Sequence, residues 1–160
     1  MNNGTATDVS WLKPFQTEWR SLRACRHTVL LEGSLSATNA VLRLLEPHIR
    51  GPIVWNGPQT PLNLPDEDLG GLILRGVADL SAGDQTRLLA WLDGPGSRTQ
   101  IVSTTERPLF ALVARKLFDE TLYYRLNVVL LHVGPKYEAG LAGDDAERLH
   151  IDGPIALPSP

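Results

Sequence analysis

The sequence predicts an α/β fold, a parallel sheet covered by helices, and three observations carry the prediction. Short segments rich in Val, Ile and Leu alternate along the chain with stretches of helical period. At 160 residues, 42% of them hydrophobic and 21% charged, the chain fits one domain with a real core and is not a disordered polymer. The longest apolar runs, "VVLLHV" and "TVLL", are far too short to cross a bilayer, and "MNNGTATDVSW" lacks the basic start and apolar block of a secretory signal. A reduced, cytoplasmic setting without membrane contact is therefore expected. A formal net charge of -3 withdraws support from generic nucleic-acid binding, so no direct DNA contact is expected, and the single Cys25 excludes an internal disulfide.

Five strands are predicted at 28–32, 52–55, 71–75, 100–104 and 127–132. Between the first two, 37–48 reads as a helix that places Val41, Leu44, Leu45 and His48 on one face. The stretch 81–93 opens with Ser81 and Asp84 at capping-box spacing and then turns Leu88, Leu89 and Leu92 inward. Pro108 starts a further helix with Leu109, Leu112, Val113 and Leu117 as its buried stripe. A helix over 10–25 is also read, its start weakened by Pro14, while "DGPIALPSP" reads as a tail. The organisation predicted is an N-terminal helical segment (1–26), an α/β domain (27–133) and a flexible C-terminal tail (134–160).

"TVLLEGSLSATNAVLRLL" has the layout of a phosphate-binding loop: a buried strand, a turn beginning at Gly33, and a helix whose free N–H groups face the turn. A working G-x-x-x-x-G-K-[ST] loop needs a second glycine for close approach, a lysine for the terminal phosphates and a hydroxyl for Mg²⁺. Those places hold Thr38, Asn39 and Ala40. The degenerate loop, with Gly33, Ser36, Thr38 and Asn39, is expected to bind no cofactor. Cys25 and His27 have no second pair at metal-ligand spacing, and no metal is expected. His48, His132 and His150 are dispersed, without a nucleophile in an elbow context. "PDEDL" reads as a solvated loop, and Trp11, Trp19, Trp55 and Trp91 as core or half-buried packing.

Four stretches in this order, "HTVLLEGS", "LGGLILRGVADLSAGDQTRLLAWLD", "TQIVSTTERPLFALV" and "LFDETLYYRLNVVLL", carry a resemblance. The chain resembles the AAA+ domain of sigma-54-dependent transcriptional activators, the bacterial enhancer-binding proteins. The resemblance implies a P-loop NTPase-like, five-stranded sheet in the order 2-3-4-1-5 with helices on both faces. The departures are as informative. Where the family has the Walker B aspartate and glutamate, this sequence has Arg75 and Gly76; the sensor-strand asparagine position is Glu106. Of the two arginines around the "YYRL" segment, the first matches Asp119 and the second is kept as Arg125. The sigma-contacting loop has no counterpart in the short stretch between His48 and Gly70, and no helical lid domain is read after Leu131.

Without the lysine and both Mg²⁺ carboxylates, most of the positioning and charge stabilisation that phosphoryl transfer requires is missing. No ATPase activity is expected. Glu32 and Glu106 would add like charge near a phosphate, at roughly 4 kcal/mol for a 4 Å contact at an effective dielectric of 20. An arginine where the metal carboxylate stands in the family, beside those two glutamates, suggests an internal ion pair of Arg75 with Glu106 and also Glu32. Arg125 has two readings, an ordinary residue at a strand mouth or part of a retained intersubunit surface. Tyr123, Tyr124, Trp11 and Trp19 are the other candidates for a partner surface. Two functions follow: a non-catalytic pseudo-ATPase module modulating a signalling or transcription partner or self-associating, or an atypical ATP-binding regulator of the same family.

Overall fold

The computed structural model describes residues 28–57, 61–67 and 69–134. The helix expected over 10–25, with Trp11, Trp19 and Cys25, lies outside these residues, as do His27, the tail, His150 and any lid. The five strands are β1 (Val29–Gly33), β2 (Ile53–Asn56), β3 (Gly71–Leu74), β4 (Gln100–Thr105) and β5 (Val129–Val133). All pairings are parallel and the order is β2-β3-β4-β1-β5, the order the resemblance implied. The first strand is therefore central, with Val29 opposite both Val102 and Val129.

Period-two alternation divides the core between the two faces of the sheet. Val29, Leu31, Ile73 and Val102 face α1 (Leu35–Leu45), which buries Val41, Leu42, Leu44 and Leu45 against them. Leu30, Leu72, Leu74 and Ile101 face the opposite way. There they meet α2 (Ala82–Asp93), α3 (Leu109–Ala114) and α4 (Glu120–Leu126) through Leu88, Trp91, Leu92, Leu109, Leu122 and Leu126. Burial on both faces is why these strands read as continuous apolar runs. Ser81 caps α2 as its spacing predicts, its hydroxyl accepting from Asp84 N at 3.1 Å.

Where boundaries differ from the sequence reading, local chemistry explains them. The first helix starts two residues early because Ser34 caps it, accepting from Ala37 N at 3.2 Å. It gives way to a 3₁₀ turn at Glu46–His48, where Pro47 has no N–H to continue the α-helical ladder. His48 is consequently only half-buried, and Ile49 takes the core place expected of it. The stripe of α3 is shorter than expected. The helix ends at Ala114 and Lys116 adopts φ 61°, in the left-handed region, which swings Leu117 outward to 57% exposure and brings Phe118 into the core. Asn127, expected in the last strand, instead ends α4, its Nδ2 donating to the Tyr123 hydroxyl at 2.8 Å. Of the two tryptophans described, Trp91 is buried while Trp55 on edge strand β2 is exposed. Asp66 and Glu67 of "PDEDL" are exposed, as a solvated loop requires.

Candidate functional site

The carboxyl ends of β1, β3 and β4 lie side by side, the place where open parallel sheets bind ligands. At the end of β1, a Cβ on Gly33 would stand 2.2 Å from Val133 O, so glycine is required by the close approach of β5. The residues after it do not form a loop. With Ser34 as cap, the helix begins at Leu35, and Thr38 N donates to Ser34 O at 2.9 Å as its first rung. The Thr38 hydroxyl turns back to the same carbonyl at 2.9 Å, and Ser36 Oγ meets Ser34 Oγ at 3.2 Å. Thr38 is buried; Asn39 and Ala40 lie within α1. A phosphate cradle needs a run of unpaired N–H groups bent around an anion, and here most of that run is wound into helix.

The free N–H at the start of α1 has an acceptor from the same chain. Leu35 N donates to Glu106 Oε1 at 3.0 Å. Helix N-termini favour anions because unpaired N–H groups and the macrodipole act together, and a carboxylate from the end of β4 takes that role. A tight turn aims it. Thr105 Oγ1 donates to Arg107 O at 2.6 Å and accepts from Arg107 N at 3.2 Å, which directs Glu106 toward α1 and Arg107 the other way.

The ion pair expected of Arg75 is not formed, which corrects the sequence reading. Glu106 is engaged by Leu35 N, and Glu32 lies 3.4 Å from His132 Nδ1, its register partner on β5. Neither is within ion-pair distance of Arg75. Arg75 N donates to Asn56 O, continuing the β2 pairing, and Gly76 then adopts φ 67°, with its N–H donating to Thr104 Oγ1 at 3.1 Å. Arg75 lines a cavity with Asn56, Leu74, Asp79 and Asp84. The charge pair that does bridge these strand ends was not anticipated. Arg107 Nη2 bonds Asp79 Oδ1 at 2.5 Å and Ala78 O at 3.1 Å. Its only signal in the sequence was an arginine adjoining Glu106.

Arg125 has an intrachain role. Its Nη1 donates to Asp93 Oδ1 at 2.6 Å and its Nη2 to Leu92 O at 3.0 Å, so it caps the carboxyl end of α2. The neighbouring tyrosines form part of an aromatic row. Tyr123 is half-buried, with its ring centroid 6.3 Å from Phe110 and 5.3 Å from Tyr124; Phe110 and Tyr124 are exposed. Arg125→Ala is expected to cost about 0.3–1 kcal/mol, less at high salt, because both partners of the ion pair are largely solvated. Urea denaturation at two ionic strengths checks this; a loss above about 2 kcal/mol that salt does not change would contradict a surface cap. Among the described residues, no cluster of His, Cys, Asp or Glu could hold a metal ion, and no helix is long and apolar enough to cross a membrane.

Comparison with known proteins gives consistent matches. The Sigma-54 interaction domain model matches residues 54–135, just over half of the chain. The HTH-type transcriptional regulatory protein TyrR of Enterobacter agglomerans is 35% identical over an 80-position alignment covering 43% of this chain. TyrR of Citrobacter braakii is 34% identical over 77 positions covering 41%. The chain spans about 15% of the length of each of these relatives. Among solved structures, NtrX from Brucella abortus in complex with ADP superposes with a TM-score of 0.64 at 19% identity, covering 86% of this chain and 39% of that one. The P-loop NTPase domain of a sigma-54 activator from E. coli superposes with a TM-score of 0.58 at 21% identity, covering 79% of this chain and 96% of that one. At these identities the structural likenesses speak for the fold.

Proposed function

This chain belongs to the Sigma-54 interaction domain family, and from that premise we propose that it acts as a non-catalytic pseudo-ATPase module. In this reading it works in the cytoplasm through a protein partner, a signalling or transcription component or a second copy, and needs no nucleotide. The observation that carries the reading is the Glu106 carboxylate on Leu35 N, with α1 already helical from Leu35. A phosphate arriving there must displace a tethered anion and unwind a capped helical turn. No lysine offsets either cost, since Asn39 stands at the lysine position. At the other end of the site, Arg75 and Gly76 stand where the family carries the carboxylates that hold Mg²⁺ and orient water. The negative net charge of -3 favours a protein partner over direct DNA contact.

The alternative is an atypical ATP-binding regulator of the same family, which the ADP-bound and ATP-bound NtrX structures and the transcriptional role of TyrR favour. One measurement separates the two. A ligand that binds only the folded state raises stability by about 2.7 kcal/mol at 100 times its dissociation constant. Thermal melting in millimolar Mg-ATP is expected to show no rise, and phosphate release to stay at the rate without protein. A melting-temperature rise that Asn39→Asp abolishes would overturn the pseudo-ATPase reading in favour of nucleotide binding.

A further inference from the structure

We propose that this chain's own N-terminal segment docks on the α1 side of edge strand β5, with Phe15, Trp19 and Leu22 as its anchors. The two edges of the sheet differ on that side. On β2, Ile53 is half-buried and Trp55, two residues on and facing the same way, is 42% exposed. On β5, Leu131 and Val133 are only 3% and 4% exposed, and the half-buried Val129 packs against the same core. Among the described residues, α1 is the only helix whose side chains enter this core, and it lies chiefly against β1 and β4. A helix is about 10 Å across and strands are about 4.8 Å apart, so one helix covers two strands. The burial of β5, one strand further out, therefore calls for a second layer beside α1.

The residues before β1 have the chemistry and the length for that layer. Thr28 O accepts from Val129 N at 3.0 Å, so the chain that leads into Thr28 arrives at the foot of β5. Phe15, Trp19, Leu22 and Cys25 recur at i, i+4, i+7 and i+10, one apolar stripe on a helix, while Thr17, Arg20 and Arg23 fall outside it. Pro14 suits the first position of such a helix. From Phe15 to Cys25 a helix rises about 15 Å, and Val129 to Val133 extends about 13 Å. Arg26 and His27 then remain as a connection of ordinary length to the strand. The stretch 135–148 after β5, with six charged residues and two glycines, offers no comparable stripe. Docked in this way, Trp19 closes the core of its own chain and is withdrawn from the partner surface. Phe110 and Tyr124 then remain as the exposed aromatic rings open to a partner.

Nuclear Overhauser spectra of the full wild-type chain test the docking. Contacts are expected between the Trp19 indole protons and the methyl groups of Val129 and Leu131. In a mixture of isotope-labelled and unlabelled chains, these contacts should stay within one copy. A double-mutant cycle in urea gives a second readout. The effects of Trp19→Ala and Val129→Ala on the unfolding constant should depart from their product by at least about fivefold, whereas those of Trp19→Ala and Tyr124→Ala should simply multiply. Trp19 contacts to Phe110 or Tyr124, contacts found only between copies, contacts to Leu131 from 135–160 in place of Trp19, or no contact of Trp19 with the domain would each overturn the proposal. So would independent effects of Trp19→Ala and Val129→Ala. The wild-type spectra decide the matter even if the variants fail to fold.

Discussion

Trp91→Ala is expected to destabilise the domain by about 3–5 kcal/mol, a large part of the 5–15 kcal/mol that holds a typical domain folded. Trp91 sits in the last turns of α2, 6% exposed, and packs in the core between this helix and the sheet. Two local features tie it down. Its indole N–H donates to Pro65 O at 2.8 Å, anchoring the loop before β3. A Cβ on Gly96 would stand 2.1 Å from the ring, so the turn after α2 lies flat against it. Alanine would remove the ring, strand the Pro65 carbonyl and leave the Gly96 turn without a surface. Trp91→Phe separates these effects. It keeps most of the packing and loses the donor, and should cost about 1 kcal/mol for the hydrogen bond with a further increment for lost area. Urea denaturation monitored by far-ultraviolet circular dichroism gives both values. Losses of equal size in the two variants would show that the hydrogen bond, and not the ring, carries the effect.

The sheet was legible because its information is local in sequence. Each strand announces itself as a short apolar run, the helices between them show a 3.6-residue period, and the order of segments carries the family resemblance that fixes β1 between β4 and β5. The strand-end chemistry was legible only as a set of residue types. Arg75, Glu106 and Glu32 do stand at the carboxyl ends of β3, β4 and β1, as the sheet order requires, but proximity of strand ends does not fix where side chains go. The backbone turns at Gly76 just after Arg75, and beside the Thr105 turn Glu106 bonds Leu35 N at the start of α1. Neither turn has a sequence signature strong enough to be read in advance. Leu117 fails for a similar reason, since a lysine with positive φ is not a residue choice that announces a helix end. Arg125 illustrates a third limit. Its partners Asp93 and Leu92 lie on a different helix, more than thirty residues earlier, and only the packing of α4 against α2 brings them together.

The strand-end residues and the aromatic row separate along the same lines. Arg125 is held by α2, which leaves Phe110 and Tyr124 as the exposed members of the aromatic row and Tyr123 as its half-buried base. Rigid aromatic side chains lose little conformational freedom on docking and are enriched at interface centres. The row is built on α3 and α4, so anything that loosens the connection between those helices and α2 would disturb it. Within that connection, beside the shared apolar core and Arg125, one buried amide holds the turn between α3 and α4.

Gln85→Glu is expected to cost at least about 3 kcal/mol at neutral pH, despite being nearly isosteric. Gln85, on the inner face of α2, is 6% exposed and has every polar atom occupied. Its Nε2 donates to Leu80 O at 3.0 Å and Leu117 O at 3.3 Å, while its Oε1 accepts from Asp119 N at 2.8 Å. The amide thus fixes the 117–119 turn that reverses the chain between α3 and α4. A carboxylate could still accept from Asp119 N, but its second oxygen would face two carbonyl oxygens with no donor between them. Burial and those carbonyls both disfavour the charged form, so the introduced acid would have a folded-state pKa above its unfolded value of about 4.3. The linkage sign follows: the folded state holds the proton more tightly, so the penalty is smallest below the unfolded pKa and grows as pH rises through the folded one. Urea midpoints of variant and wild type, compared at about pH 5 and about pH 8, should therefore diverge more at the higher pH. A gap of the same size at both values would mean that the new carboxylate reaches water, and that the 117–119 turn yields to it instead of burying it.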